Sequence, residues 1–214
     1  MCQSGRVDRY RTVARDAVAE IEVKRSVFRC DIARITDEEQ ARATVERARS
    51  AHRDARHHCS AFIWTPTGSM SRSSDDGEPS GTAGAPMLEV LKGAGLTEVV
   101  AVVTRWFGGT LLGAGGLVRA YSDAVAAGLQ AAGSLERRLV TEQQVVLDHA
   151  LAARAESELR NRGFSVLDVG YAEQVTLRLG VPEVEVPVLE TVLAELSHGA
   201  VAAEPVGERW VDLS

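Results

Sequence analysis

The sequence predicts an α+β protein made of two domains, residues 1–137 and residues 138–214. The second part reads as strand, helix, strand, strand, helix and strand, which is the ferredoxin-like βαββαβ pattern. The charge changes at the same point: residues 138–214 carry six basic and 13 acidic residues, whereas residues 1–137 carry 18 basic and 17 acidic residues. A step in charge where an element pattern restarts indicates a domain boundary.

The composition is that of an ordinary globular protein. Of its 214 residues, 45% are hydrophobic and 25% are charged. The three cysteines include no Cys-x-x-Cys, which disfavours a disulfide framework and a cysteine-rich zinc site. The N-terminal segment is too polar for a secretory signal, and the longest aliphatic run, at 99–103, is too short to cross a bilayer. We therefore expect a cytoplasmic protein without membrane contact.

The first domain is expected to begin with a hairpin and a helix. Residues 1–16 read as a loose, arginine-rich lead-in. Apolar and polar residues alternate over 19–23 and again over 27–35, which predicts two strands that form a hairpin. Residues 36–39, Thr-Asp-Glu-Glu, fit a capping box led by the threonine, and the helix that it begins is expected to end near Ala51.

The rest of the chain alternates strands, helices and glycine-rich turns. In the first domain we expect a strand at 59–64, a long polar loop at 69–81, a short helix at 87–91, a buried strand at 99–103 and a helix from 113–116 to Gly133. In the second we expect strands at 140–147, 164–171, 175–181 and 201–211 and helices at 150–162 and 184–196. No sheet is expected to cross residue 137.

Five segments of the first domain are distinctive as a set. They are KRSVF at 24–28, RHHCSAF at 56–62, SDDGEPSGTAG at 74–84, VTRWFGG at 103–109 and GAGGLVRAY at 113–121. In this order they resemble the N-terminal domain of the IMPACT/YigZ family, and the resemblance covers residues 18–130. The second domain resembles the small C-terminal domain of the bacterial members, mainly through its element pattern.

This resemblance implies a fold and a function. The first domain is expected to fold like domain IV of elongation factor G and the ferredoxin-like second domain like domain V. Eukaryotic members bind the ribosome-associated activator of a starvation-responsive initiation-factor kinase, and bacterial members are implied to bind ribosomes or nucleic acid. We therefore expect a translation-associated regulatory or binding protein linked to the stress response. Its expected partner is the ribosome, structured RNA or a translation factor, with no DNA specificity and no cofactor.

Two adjacent histidines, His57 and His58, precede the apolar strand at 59–64. Adjacent side chains of a strand point to opposite faces, so the two rings are not expected to share a metal ion. We expect one ring to be buried and hydrogen-bonded and the other to be solvated. Either ring could also serve as a pH-sensitive acid, base or phosphate contact.

Three carboxylates, Asp75, Asp76 and Glu78, lie within four residues of the polar loop. Two interpretations stay open. The oxygens could bind Mg²⁺ or Ca²⁺, or the Asp-Gly pair could build a turn whose side chains accept from backbone amides. Small and hydroxyl residues follow, among them Ser80 and Thr82, and they would let a ligand approach the backbone.

Glycines and arginines of the later segments complete the candidate site. Gly115 and Gly116 open a helix whose free amides can attract an anion, although close packing of helix and sheet is the favoured role. The segment fits neither G-x-G-x-x-G nor a Walker A loop, so no nucleotide cofactor is expected. Arg105 is expected to pair with the acidic loop or to face a phosphate, and Arg119 is a further candidate cation on the helix.

Three functions compete at this stage. The preferred one is a binding protein that contacts RNA, the ribosome or a translation factor through the first domain. The second is an enzyme that acts on a small phosphorylated compound at a cluster of His57, Asp75 and Arg105. The third is a purely protein-binding regulator. The chain contains no nucleophile elbow and no His-Glu-x-x-His helix, which disfavours catalysis of those types.

Overall fold

The computed structural model describes residues 7–213, which form ten strands and five helices. In chain order they are β1 (Arg9–Val13), β2 (Ala17–Val23), β3 (Ser26–Arg34), α1 (Glu38–Ala51), β4 (His57–Ile63), β5 (Ser71–Ser74), α2 (Gly84–Gly93), β6 (Val99–Trp106), α3 (Ala114–Ala132), β7 (Ser134–Leu147), α4 (His149–Asn161), β8 (Ser165–Tyr171), β9 (Val175–Val181), α5 (Val186–Ser197) and β10 (Ala203–Leu213). The predicted α+β class is confirmed. Cys2 lies outside the described residues.

The chain divides into two compact units between Glu136 and Arg137. The first unit is built on an antiparallel sheet with the strand order β2-β3-β6-β4-β5. Helix α1 packs against one face of this sheet, and helices α2 and α3 pack against the other. Strand β6 is therefore buried on both faces, which explains the unbroken aliphatic run at its start.

The predicted hairpin is confirmed. Strand β2 pairs with β3 from Ala17 opposite Ile32 to Val23 opposite Ser26. The turn between them consists of Lys24 and Arg25 alone, with φ angles of 48° and 65°. Two positive φ angles in a two-residue connection are typical of a type I′ turn, whose twist matches that of the strands.

Helix α1 begins one residue later than its capping box predicts. The N-cap is Asp37 rather than Thr36, and its carboxylate accepts from the amide of Gln40 at 2.8 Å. The Gln40 side chain accepts in turn from the amide of Thr36 at 3.1 Å. Aspartate and threonine are both good N-caps, and each has a Glu or Gln three residues later, so the sequence pattern fits both positions.

The lead-in prediction for residues 1–16 is wrong where the structure describes it, because Arg9–Val13 forms β1. This strand is hydrogen-bonded to β7, which begins directly after Gly133 at Ser134. Strand β7 runs through residue 137, so the expectation that no sheet crosses this residue is also wrong. Charged residues at 136–138 interrupt the apolar alternation and hid the start of β7 from sequence analysis.

The polar loop at 69–81 also contains a strand, β5, which pairs with β4 at the edge of the first sheet. Its sequence, Ser-Arg-Ser-Ser, has no apolar side chain. An edge strand needs only backbone hydrogen bonds on one side, so it carries no hydrophobic pattern that a sequence could reveal.

The second unit has the predicted βαββαβ order. Its strands are arranged β10-β7-β9-β8, and helices α4 and α5 supply the apolar side chains that pack on the sheet. Leu159 of α4 and Leu189 and Leu193 of α5 are fully buried against Leu147 and Leu177. Across residues 7–213, no helix is long and apolar enough to cross a membrane.

Two glycines of α3 provide a matched test of helix–sheet packing. A Cβ on Gly128 would lie 2.8 Å from Cγ1 of Ile32 and 2.9 Å from Sγ of Cys30, whereas a Cβ on Gly115 would meet nothing within 4 Å. Gly128→Ala should therefore lower the free energy of unfolding by about 1–3 kcal/mol through overpacking. Gly115→Ala should leave it unchanged or raise it by about 0.4–1 kcal/mol. Urea denaturation of both variants measures this, and equal effects would contradict the close approach.

Candidate functional site

The register of β4 and β6 separates the two histidines. His57 lies opposite Arg105, and His58 lies opposite Thr104. His57 and Arg105 therefore share the face covered by α2 and α3, while His58 points to the face covered by α1. As predicted, one ring is buried, since His58 is 3% exposed. The other ring, His57, was expected to be solvated but is half-buried.

The acidic loop forms a tight turn that contacts His57. The amide of Glu78 donates to the carbonyl of Asp75 at 2.9 Å, and the two residues between them, Asp76 and Gly77, have φ angles of 41° and 84°. This is again type I′ geometry. Nδ1 of His57 lies 2.9 Å from the carbonyl oxygen of Asp76. A carbonyl only accepts, so this nitrogen carries the proton.

Asp75 caps helix α2 from outside the helix. Its carboxylate accepts from the amides of Gly81, Ala83 and Gly84 at 2.8–3.0 Å. Burial raises the pKa of the Asp75 carboxyl, but the three amides outweigh burial and hold that pKa below its ordinary value. Asp75 is thus a structural anion at a helix N-terminus.

Asp76 ties the loop to β4 and α1. One carboxylate oxygen accepts from the backbone amide of His58 at 2.7 Å, and the other accepts from Nη2 of Arg49 at 2.9 Å. Burial raises the pKa of the Asp76 carboxyl, but these two donors together lower it below its ordinary value. Nδ1 of His58 lies 3.1 Å from Oγ1 of Thr104. Burial, and next the charge of Arg49, lower the pKa of His58.

Glu78 and Arg105 form a buried ion pair, with 2.6 Å between Oε1 and Nη1 and side chains only 4% and 8% exposed. The hydroxyl of Tyr121 donates to the same carboxylate oxygen at 2.8 Å. Sγ of Cys59 lies 3.3 Å from that hydroxyl, and burial raises the pKa of the thiol to about 12, so it is not a reactive thiolate. The guanidinium also lies 5.4 Å from the ring centre of Phe28.

The remaining candidate residues do not join this cluster. The Thr82 hydroxyl is buried and donates to the carbonyl of Pro79 at 2.6 Å, and Ser80 is exposed. Gly115 is exposed and Gly116 is half-buried at the start of α3. The Arg119 side chain is exposed and makes no hydrogen bond or ion pair with any other residue from 7 to 213.

The histidine, acidic-loop and arginine segments therefore meet, as predicted, but the contacts are structural. Backbone amides bond the carboxylate of Asp75, an amide and Arg49 bond that of Asp76, and Arg105 pairs with that of Glu78. In the described part of the chain, no group of three His, Cys, Asp or Glu side chains is arranged to hold a metal ion. Of the two readings of the acidic loop, the turn with backbone hydrogen bonds is the one that this geometry supports.

A groove that the sequence did not reveal lies beside Arg105, and we call it the tip groove. It has a volume of about 650 Å³ and is lined by Asp54, Ala55, Arg56, His57, Arg105, Trp106, Phe107 and Leu111. Nε1 of Trp106 donates to the Asp54 carboxylate at 2.8 Å, which holds the indole in place. Phe107 and Leu111 are 57% and 83% exposed, so this rim presents apolar side chains to solvent.

Several cations surround the tip groove. The β2–β3 turn reaches it, since Nη2 of Arg25 donates to the Thr110 hydroxyl at 3.3 Å and the amide of Gly108 donates to Oγ of Ser26 at 3.1 Å. Lys24 belongs to the same turn, and Arg53 precedes the Asp54 that holds Trp106. Exposed aromatic and basic side chains therefore share one end of the first sheet.

Comparison with known proteins agrees with this architecture. Two family models match: the Impact N-terminal domain over residues 24–129 and Domain of unknown function (DUF1949) over residues 145–200. IMPACT family member YvyE of Bacillus subtilis is 39% identical over 190 residues, which cover 89% of this chain and 88% of that protein. The chain belongs to the IMPACT family. All five segments that predicted this membership lie within the first match.

Further relatives of this IMPACT family member show the same extent of similarity. IMPACT family member YigZ of Escherichia coli is 38% identical over 181 residues, which cover 84% of this chain and 89% of the relative. A solved structure described as "Crystal structure of an hypothetical protein" is 35% identical, with a TM-score of 0.64 over 94% of this chain and 98% of its own. Both units are therefore shared with relatives.

The buried ion pair of this IMPACT family member makes a strong prediction about stability. Glu78→Gln should lower the free energy of unfolding by about 3–5 kcal/mol, because it leaves the guanidinium of Arg105 buried without a counterion. Tyr121→Phe should cost about 1–3 kcal/mol, since it removes one hydrogen bond to the carboxylate. Urea denaturation at neutral pH measures both.

An exposed ion pair provides the control. Arg9 and Glu136 are 3.0 Å apart with side chains 48% and 41% exposed, so Glu136→Gln should cost less than about 1 kcal/mol. If Glu78→Gln destabilises no more than Glu136→Gln, the buried pair does not hold the acidic loop.

Acid should destabilise the protein in two steps. The pKa of His58 in the folded protein is lowered from its ordinary value of 6.5. The stability that the neutral ring contributes to the fold is therefore fully present above pH 6.5, and it is lost as the pH falls through the lowered pKa. The pKa values of Asp75 and Asp76 are lowered from 3.8, so their contribution is lost only below that pH. His58→Gln should abolish the first step and keep the second. Denaturation midpoints at a series of pH values test this. If the first step is unchanged in His58→Gln, it arises from another titratable group.

Proposed function

We propose that this IMPACT family member binds RNA, on the ribosome or in structured transcripts, through the tip groove. The observation that carries the proposal is the exposed ring of Phe107 beside the exposed guanidinium of Arg56 in one groove. Aromatic side chains that stack bases, combined with cations that contact the backbone, are the usual means of binding single-stranded nucleic acid. The expected translation-associated role in the cytoplasm rests on this binding.

The aromatic side chains suit this role because they are held in place. Cζ of Arg105 lies 5.8 Å from the ring centre of Phe107, so the buried cation supports one face of an exposed ring. The Trp106 ring contacts the His52 ring edge to face at 5.2 Å. A preorganised ring loses little conformational entropy when a base stacks on it.

The charges favour a phosphate backbone at this end of the first unit. Lys24, Arg53 and Arg56 form no hydrogen bond or ion pair with other side chains of residues 7–213. Their ammonium and guanidinium groups are available to phosphates. By contrast, residues 138–214 carry a net charge of −7 and should repel RNA.

Two variants separate stacking from charge. Arg56→Gln should weaken binding. It should also reduce the slope of log affinity against log salt concentration by about 0.7–0.9, which is the contribution of one phosphate contact. Phe107→Ala should weaken binding by about 1–3 kcal/mol, the value of one stacked base, with an unchanged salt slope. Fluorescence anisotropy with a labelled single-stranded RNA, titrated at several salt concentrations, measures both quantities.

Arg154→Gln is the matched control, because this arginine is exposed on α4 in the acidic second unit and is likewise without a side-chain partner within the described range. It should change neither affinity nor salt slope. Co-sedimentation with ribosomes at low and moderate salt extends the test to the larger partner. Absence of RNA and ribosome binding at low salt would contradict the proposal.

The exposure of Leu111 favours a second candidate, a protein partner docked on the rim of the tip groove. An exposed leucine next to an exposed phenylalanine is a small apolar patch of the kind that marks protein contacts. Such a partner would bind with little dependence on salt. Leu111→Ser should then abolish binding, whereas an RNA complex should tolerate that change.

A further inference from the structure

A second cleft lies on the opposite face of the first sheet, between α1 and the strands β4 and β5, of which β5 is the edge of the sheet. It has a volume of about 410 Å³, and its lining includes Arg42, Arg49, His58, Ser60, Phe62 and Arg72. We call it the α1–β5 cleft. His58 and Ser60 alternate along β4 with His57 and Cys59, which places this cleft across the sheet from the buried Glu78–Arg105 pair.

The floor of the cleft contains polar groups that the protein leaves without partners. His58 and Ser60 are only 3% and 4% exposed, and both line the cleft. Nδ1 of His58 is bonded to Thr104, but within residues 7–213 neither its Nε2 nor the Ser60 hydroxyl has a hydrogen-bond partner. Neither atom is among the fully buried, unpaired side-chain atoms of the described residues, so both are reached from the cleft. Their hydrogen-bonding capacity is therefore available to a ligand in the cleft.

The rim of the cleft presents guanidinium groups fixed by carboxylates. One oxygen of Glu38 accepts from Nε of Arg42 at 2.9 Å and from Nη1 of Arg72 at 2.9 Å, so one carboxylate joins α1 to β5. Asp76 holds Arg49 in the same way at 2.9 Å. Neither carboxylate lines the cleft. Each guanidinium has five N–H donors, so these pairs leave donors for a ligand.

We propose that the α1–β5 cleft binds a small phosphate monoester. Three arginines line the cleft. Glu38, Asp76 and Glu46 balance their charge, and the N–H donors that these pairs leave can bind the oxygens of a phosphate. Guanidinium forks, a serine hydroxyl and an imidazole N–H approach from three elements, which suits the several oxygens of a tetrahedral phosphate. Phe62 and Val45 form an apolar wall for the carbon part of the molecule. This site uses none of the residues assigned to RNA, so neither proposal depends on the other.

Thermal unfolding of the full chain in phenyl phosphate, inorganic phosphate or potassium chloride of equal ionic strength tests the proposal. Phenyl phosphate should raise the melting temperature above the chloride reference, since a ligand that binds only the folded state stabilises it. Arg72→Gln and Ser60→Ala should each weaken its affinity by about tenfold or more, as expected for a charge-assisted or buried hydrogen bond. Inorganic phosphate should bind more weakly, because it cannot use the apolar wall.

Ser60→Ala also distinguishes a loss of ligand binding from a loss of folding. Its hydroxyl has no protein partner, so the variant without ligand should melt at or above the wild-type temperature while losing the response to phenyl phosphate. Arg47→Gln is the matched control, because Arg47 is on α1 but lines a different cleft and bonds only Thr44. It should keep the full response.

Three results would overturn the proposal. The first is no shift beyond that of chloride. The second is a shift that Arg72→Gln and Ser60→Ala leave intact, which would indicate binding elsewhere. The third is a shift produced by a 5′-phosphorylated trinucleotide but not by phenyl phosphate, which would assign the cleft to the end of an RNA strand.

Discussion

The first unit depends on the buried contact between Glu78 and Arg105. A carboxylate and a guanidinium removed from water must recover a large desolvation cost, and here the hydroxyl of Tyr121 adds a second donor at the same oxygen. Because Glu78 is fixed to β6 and α3, the turn before it is fixed as well. That turn places Asp75 at the start of α2 and Asp76 between β4 and α1. One ion pair thereby sets the position of a loop that joins both faces of the sheet.

The two-residue period of a strand gives β4 two separate chemical environments. His57 faces the ion pair and the tip groove, whereas His58 and Ser60 face the α1–β5 cleft. Asp76 connects the two environments, since its carbonyl oxygen contacts His57 while its carboxylate bonds the His58 amide and Arg49. A ligand that displaced Arg49 would therefore act on the turn that contacts His57, because Asp76 makes both contacts.

The sequence predicted the elements that have a strong local signal and missed those that depend on distant partners. The alternation of apolar and polar residues predicted β2 and β3, and a run of aliphatic residues predicted β6. By contrast, β1 is stabilised by pairing with β7, more than a hundred residues away in the chain, and no local pattern encodes such a contact. The partner of Arg105 was also open, because all three loop carboxylates are close in sequence. The type I′ turn sends Asp75, Asp76 and Glu78 in different directions, and only Glu78 reaches the buried arginine.

The turn that connects β2 to β3 shows how the tip groove acquires its charge. Positive φ angles suit asparagine and glycine, yet here they are adopted by Lys24 and Arg25, at a cost of about 1–3 kcal/mol for each residue. Tertiary contacts hold this conformation, because Gly108 packs so closely on the Arg25 backbone that no Cβ fits between them. Lys24 has no ion-pair partner in the described residues. The backbone rather than a side-chain partner therefore fixes where this cation stands, and its charge stays exposed to solvent.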